Sequence, residues 1–230
     1  MFKISKVEKE TLIDTLHTAF KIPFIDDVED FIWEAVFCHT KGIPIVDPFD
    51  NTRSKLLFDV VDDINHIGWS AKTIQYPNVK REKIEFVIQR ADIFKKANAL
   101  GYDSLSKESK ENILGEALLK HWHKKVFEDA KKQNVSDYRT SILVKSKNKK
   151  SFAFIEEELH MYKPTDLKWV WTDSDKVGLQ GIDKKSNEIV YRWYPNQKQF
   201  FENIYIPKEA YFFDLNPKRL NVSELVKKLT

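Results

Sequence analysis

Phe58-Asp59-Val60-Val61 leads through Asp62-Asp63-Ile64-Asn65-His66 to Ile67-Gly68-Trp69-Ser70-Ala71-Lys72-Thr73-Ile74-Gln75, and the reading of the fold turns on this stretch. Both flanks are rich in β-branched and aromatic residues, and the segment between them is built of turn formers. Leu56–Val61 and Ile67–Gln75 therefore read as two strands of a hairpin turning at 62–66. Side chains alternate along a strand, so Ser70 and Lys72 point to one face and Trp69, Ala71 and Thr73 to the other. Asp59 stands thirteen positions before Lys72, which puts it roughly across from Ser70–Lys72. If the faces agree, a carboxylate and an ammonium group meet at one sheet edge.

Upstream, Val7, Leu12, Ile13, Leu16 and Phe20 recur at helical spacing over residues 6–20, and Pro23 interrupts the pattern. A second helix is expected over 25–39, capped by Asp26 or Asp27, striped by Val28, Phe31, Ile32, Ala35 and Val36, and closed by Gly42 and Pro44. Residues 42–48 read as a short extended piece ending in a turn, with Asp47 and Asp50 in turn positions and 51–54 a polar loop.

Downstream, Glu85–Arg90 fits a strand or a helix start, and residues 91–100 look helical up to Gly101. A strong helix is expected over 108–132, on Ile113, Leu114, Ala117, Leu118, Trp122, Val126, Phe127 and Ala130. From residue 140 the texture turns to short strands, at 140–144, 152–156, 167–172, 177–182 and 188–194, the last three forming a meander. A short helix is expected at 195–203 and a helical tail at 222–229. The expected fold is thus mixed α/β, or α+β, with a central mixed sheet flanked by helices and a strand-rich C-terminal half. Its 230 residues suit a single domain, with a hairpin core at 25–95 and a β-rich elaboration at 140–195.

Composition narrows the function classes. Hydrophobic residues make up 42% and charged residues 32%, as in an ordinary globular chain. No apolar run reaches the ~18 residues of a membrane span, and the N-terminal stretch lacks a signal peptide's apolar segment. One cysteine, Cys38, excludes a disulfide framework, so a reducing, cytoplasmic setting is expected. The net charge of +3 neither demands nor excludes nucleic acid. Phosphate loops, Cys-x-x-Cys pairs and Gly-x-Ser-x-Gly elbows do not occur. His121 and His123 flank Trp122 at a spacing that turns them to different helix faces, which disfavours a shared metal.

The Asp–Lys hairpin has a chemical use. Phosphodiester hydrolysis calls for a hard cation on the scissile phosphate. Magnesium takes oxygen ligands from one or two carboxylates, with water and phosphate completing its shell. A neighbouring lysine can orient or deprotonate the attacking water and hold the phosphate. Phe58-Asp59-Val60-Val61 with Gly68-Trp69-Ser70-Ala71-Lys72-Thr73 resembles the active-site hairpin of the PD-(D/E)XK nuclease superfamily, and within it the type II restriction endonucleases. The resemblance covers residues 25–95. It implies a restriction-endonuclease-like core, Mg2+ as cofactor, Asp59 as metal ligand, Lys72 as the catalytic lysine and Glu34, on the preceding helix, as auxiliary acid and second metal ligand. Phe58 replaces the usual proline. Ser70 stands where the acid of acid-x-Lys belongs, and Glu34, Gln75 or Glu85 can supply the replacement oxygen.

Each residue also has an ordinary reading. Asp59 and Lys72 can form a structural ion pair, Glu34 can face solvent, and Asp62 and Asp63 suit the turn. Sequence-specific cleavage needs contacts to base edges. Gln89 and Arg90 have the right chemistry, as do Lys145, Lys147 and Asn148 on an expected turn in a lysine-rich run, and Gln197–Gln199. The resemblance further implies double-stranded DNA as partner, a homodimer matching a palindromic site, and a companion DNA methyltransferase. The helix at 108–132 serves equally as dimer element or core. Two rival readings stand beside the restriction enzyme: a structure-specific repair or recombination nuclease, and a non-catalytic nucleic-acid-binding protein.

Overall fold

In the computed structural model, residues 1–45, 56–80, 82–229 are described. The expected turn at 46–50 and polar loop at 51–54 lie outside them. The chain is mixed α/β and divides into two compact units, Met1–Arg81 with Asp129–Leu159 and Pro207–Thr230, and Glu82–Glu128 with His160–Ile206. The first unit thus comes from three stretches of chain and the second from two.

The first unit holds α1 (Lys6–Lys21), α2 (Asp30–Lys41), β1 (Val60–Asp62), β2 (Ile67–Tyr76), β4 (Asp137–Ser146), β5 (Ser151–Glu158), β10 (Tyr211–Asp214) and α4 (Val222–Leu229). Its sheet runs β1-β2-β4-β5-β10. β2 and β4 are parallel, paired from Ile67↔Asp137 to Tyr76↔Ser146, and the other pairings are antiparallel. α1 starts on a capping box: Glu8 N–H donates to Ser5 Oγ at 3.2 Å and Ser5 N–H to Glu8 Oε2 at 2.7 Å. α2 ends on Gly42 in the left-handed region, at φ 68°, where glycine carries no Cβ penalty. Leu12, Leu16 and Phe20 of α1 and Trp33, Val36 and Phe37 of α2 share one buried core with Val60, Trp69, Ala71, Leu143, Phe152 and Phe154. The Trp69-Ala71 face of β2 is therefore the face the two helices cover.

The second unit holds β3 (Lys83–Arg90), β6 (Leu167–Trp171), β7 (Leu179–Asp183), β8 (Ile189–Tyr194) and β9 (Gln199–Tyr205) in an antiparallel sheet of order β3-β9-β8-β7-β6. α3 (Glu111–Lys132) contains one of the four points where the chain passes from one unit to the other, at Glu128/Asp129. Leu114, Ala117, Leu118, Trp122, Val126 and Ala130 of its expected stripe are buried, while Ile113 and Phe127 are exposed.

Several expectations are corrected. The first hairpin strand is only Val60–Asp62, because Leu57 and Phe58 bond to side chains instead of a strand. The helix expected from residue 25 starts at Asp30, with extended Glu29 in the N-cap position and no side-chain capping bond, so neither Asp26 nor Asp27 is its cap. Residues 91–100 form turns and a single 3-10 turn, Asn98–Leu100, since burying Ala91 and Ile93 outweighs their helical spacing. The helix expected at 195–203 is instead a turn leading into β9. There Phe200 is buried and Phe201 is not, the alternation of a strand.

Candidate functional site

β1 begins at Val60, which pairs with Trp69 and enters the core. Alternation then turns Asp59 away from that face, while its N–H still donates to Trp69 O at 2.9 Å. Beyond the start of β1 the edge of β2 meets a side chain: Ala71 N–H donates to Asp59 Oδ2 at 2.8 Å. Lys72 Nζ lies 3.7 Å from the same oxygen. The two side chains are about one-quarter exposed, at 25% for Asp59 and 26% for Lys72. Carboxylate and ammonium do meet at the hairpin edge.

The other sequence-selected residues each have their own surroundings. Ser70 is buried at 2% exposure, and its hydroxyl has no hydrogen-bond partner among the described residues. Glu34 lines a cleft with Glu29, Asp30, Phe31, Thr73 and Lys145. Thr73 belongs to the face of β2 opposite Lys72, and its Oγ1 donates to Asp30 Oδ1 at 2.6 Å. Gln75 is exposed, two residues further along Thr73's face. Glu85 sits on β3, where it accepts from Arg192 at 2.9 Å. Among the described residues, no group of three or more His, Cys, Asp or Glu side chains gathers that could hold a metal ion.

Two expected DNA-reading residues are occupied internally. Lys145 is not on a turn. It lies in β4, buried, and donates to Asp27 Oδ1 at 2.7 Å and to Val28 O at 2.6 Å. Gln89 is buried as well, with Nε2 3.1 Å from His121 Nε2, an atom that Lys96 Nζ also approaches to 3.1 Å. Burial, with Lys96 next in weight, pushes the His121 pKa down to about 4, so the ring is neutral and accepts. Arg90, Lys147 and Asn148 are exposed. Asn148 Oδ1 accepts from Ser146 Oγ at 2.6 Å and from Lys150 N–H at 3.1 Å, so it serves the turn it sits on.

Sequence reading missed the groups that hold the segment before Asp59. Leu57 N–H donates to Asp129 Oδ2 at 2.9 Å, Phe58 N–H to Gln133 Oε1 at 3.3 Å, and Gln133 Nε2 to Phe58 O at 2.7 Å. The only advance signal was polar residues four apart at the end of a strong helix. Against protein-family models, curated proteins and solved structures, the chain finds no match.

Proposed function

We propose that this chain is a magnesium-dependent endonuclease of double-stranded DNA, with Asp59 and Lys72 as its reacting groups. One observation carries the reading: Asp59, just before β1, and Lys72 of β2 converge at 3.7 Å, both partly solvent-accessible. A buried structural pair normally saturates its oxygens and protons. This pair keeps surface through which a phosphate and water can approach.

Asp59 is the carboxylate that would hold the ion, since magnesium is commonly bound by one or two carboxylates with water and substrate oxygens. The ion would supply positive charge to the scissile phosphate. Asp59 is kept in place by the Ala71 amide. Lys72 contributes a second positive charge and a donor that orients the attacking water or the phosphate oxygen. The finer reading is a type II restriction endonuclease acting as a homodimer, paired in the cell with a DNA methyltransferase. Arg90 and Lys147 are the exposed candidates for DNA contact.

The test is incubation with several long DNAs in magnesium, then in EDTA. The restriction reading expects discrete fragments that EDTA abolishes, and that Asp59→Ala and Lys72→Ala abolish as well. A smear or junction-specific nicks would point to a repair or recombination nuclease. Cleavage by either variant at the parent's rate would remove this site from consideration. The second reading, a non-catalytic nucleic-acid binder, is favoured by Ser70, whose buried hydroxyl occupies the position of the missing acid. It expects retarded but intact DNA.

A further inference from the structure

We infer that Asp129 and Gln133 are positioning residues that hold Asp59 against Lys72; their role in cleavage rests on the nuclease reading above. Strand pairing begins only at Val60. Leu57 and Phe58 are nonetheless buried, at 6% and 3% exposure. Their backbone groups need partners, because a buried amide or carbonyl left unpaired is costly. Two side chains supply them. Asp129 accepts from Leu57 N–H, while Gln133 accepts from Phe58 N–H and donates to Phe58 O. The Gln133 amide thus stands in for a strand, closing both sides of one residue.

The consequence falls on Asp59. Its own N–H is fixed to Trp69 O on one side, and the clamped Phe58 fixes the other. With the backbone pinned at both ends, the carboxylate is left the short reach to Ala71 N–H and Lys72 Nζ. The Phe58 ring stacks on Tyr138 of β4, with centroids 5.7 Å apart, so the clamp ties the site to the strand next to β2. Gly68 belongs to the same packing. A Cβ there would lie 2.7 Å from Phe58 Cγ and 2.8 Å from Val135 Cγ1, contacts that push Phe58 out of register.

The Ala71 amide reports where the Asp59 carboxylate is, whatever the activity. Hydrogen exchange is measured by NMR in the full chain for the parent, Gln133→Met, Gln133→Glu and Asp59→Ala. Gln133→Met keeps the length and removes both bonds; Gln133→Glu keeps the acceptor and loses the donor. We expect Gln133→Met to speed exchange at both Phe58 and Ala71 by about tenfold or more, with the amides of Ile142–Val144 unchanged and Gln133→Glu intermediate. Asp59→Ala should speed Ala71 alone. In the cleavage assay, Gln133→Met should lower kcat about tenfold or more at a KM within about twofold of the parent's, the mark of lost alignment and not lost binding. Ala71 protection that survives the loss of Phe58 protection would overturn the inference, as would Phe58 protection unchanged in Gln133→Met. If the parent does not cut DNA, the nuclease reading falls alone, and exchange at Ala71 still decides the clamp.

Discussion

Two charged groupings touch strand β2 and differ in how far they are buried. At Trp69, the indole Nε1 donates to Glu156 Oε1 at 2.9 Å. The Glu156 side chain, 0% exposed, also meets Lys41 Nζ at 2.7 Å and Arg139 Nη1 at 3.3 Å. Lys41 reaches on to Glu8 and Arg139 to Asp137, and the Arg139 guanidinium lies 3.8 Å from the centre of the Phe2 ring. Three residues along, Lys72 and Asp59 form a looser, part-exposed pair. The first arrangement spends every charge on joining α1, α2, β2, β4 and β5. The second leaves its members within reach of solvent. Full burial marks the acid of the first cluster and partial exposure the acid of the second, which is the one proposed to react.

The largest expected effect separates the two by activity. Lys72→Ala and Asp59→Ala should each lower DNA cleavage by about three orders of magnitude, the combined scale of a lost charge stabiliser and proton-transfer group. Glu156→Ala should leave kcat per folded molecule within about twofold but cost about 3 kcal/mol of stability, because it removes the fully buried acid that Trp69, Lys41 and Arg139 share. Urea unfolding and single-turnover cleavage on the same samples check both. A Glu156 variant that folds normally and fails to cut would break the comparison.

A third charged site, in the other unit, sharpens it on the pH axis. Burial pushes His121 down to about 4 from its usual 6.5. Protons then bind the unfolded chain first as pH falls. The stabilising contribution is complete above about pH 6.5, declines below it, and is exhausted near pH 4. For a shift of this size the loss is up to about 3 kcal/mol. A NMR titration should find the imidazole neutral until about pH 4. A midpoint near 6.5 would mean that Lys96 and Gln89 do not enclose it.

Local chemistry made much of this readable. Apolar spacing marked α1 and α3, and the turn-forming run 62–66 marked the hairpin that joins Asp59 to Lys72. What escaped was set by long-range partners. Lys145 looked like part of a solvated lysine run, and its burial depends on Asp27 and Val28, more than a hundred residues earlier. The parallel pairing of β2 with β4 skips sixty residues, most of them belonging to the second unit. No Gly- or Pro-rich linker announces the passage between units at Glu128/Asp129, because it falls inside α3. The Pro195-Asn196-Gln197-Lys198 turn hid the start of β9, and a two-residue period over so few positions competes poorly with a helical one. At the site, β1 was overestimated because Leu57 and Phe58 are as apolar as strand residues. Nothing local reveals that a helix end, not a strand, pairs with them.

The smallest effect is the most discriminating. Lys72→Met keeps the length and apolar stem of the side chain and removes the charge. A part-exposed pair at 3.7 Å contributes at most about 1 kcal/mol after screening, so urea unfolding of this variant should fall within about 1 kcal/mol of the parent and the difference should shrink in high salt. Cleavage by the same variant should be lost. A destabilisation of 3 kcal/mol or more would place Lys72 with Lys41 and Arg139, among charges whose work is to hold the fold together. Near-neutral stability with abolished cleavage would mean that the lysine is kept at that edge for a phosphate, since the fold gains so little from it.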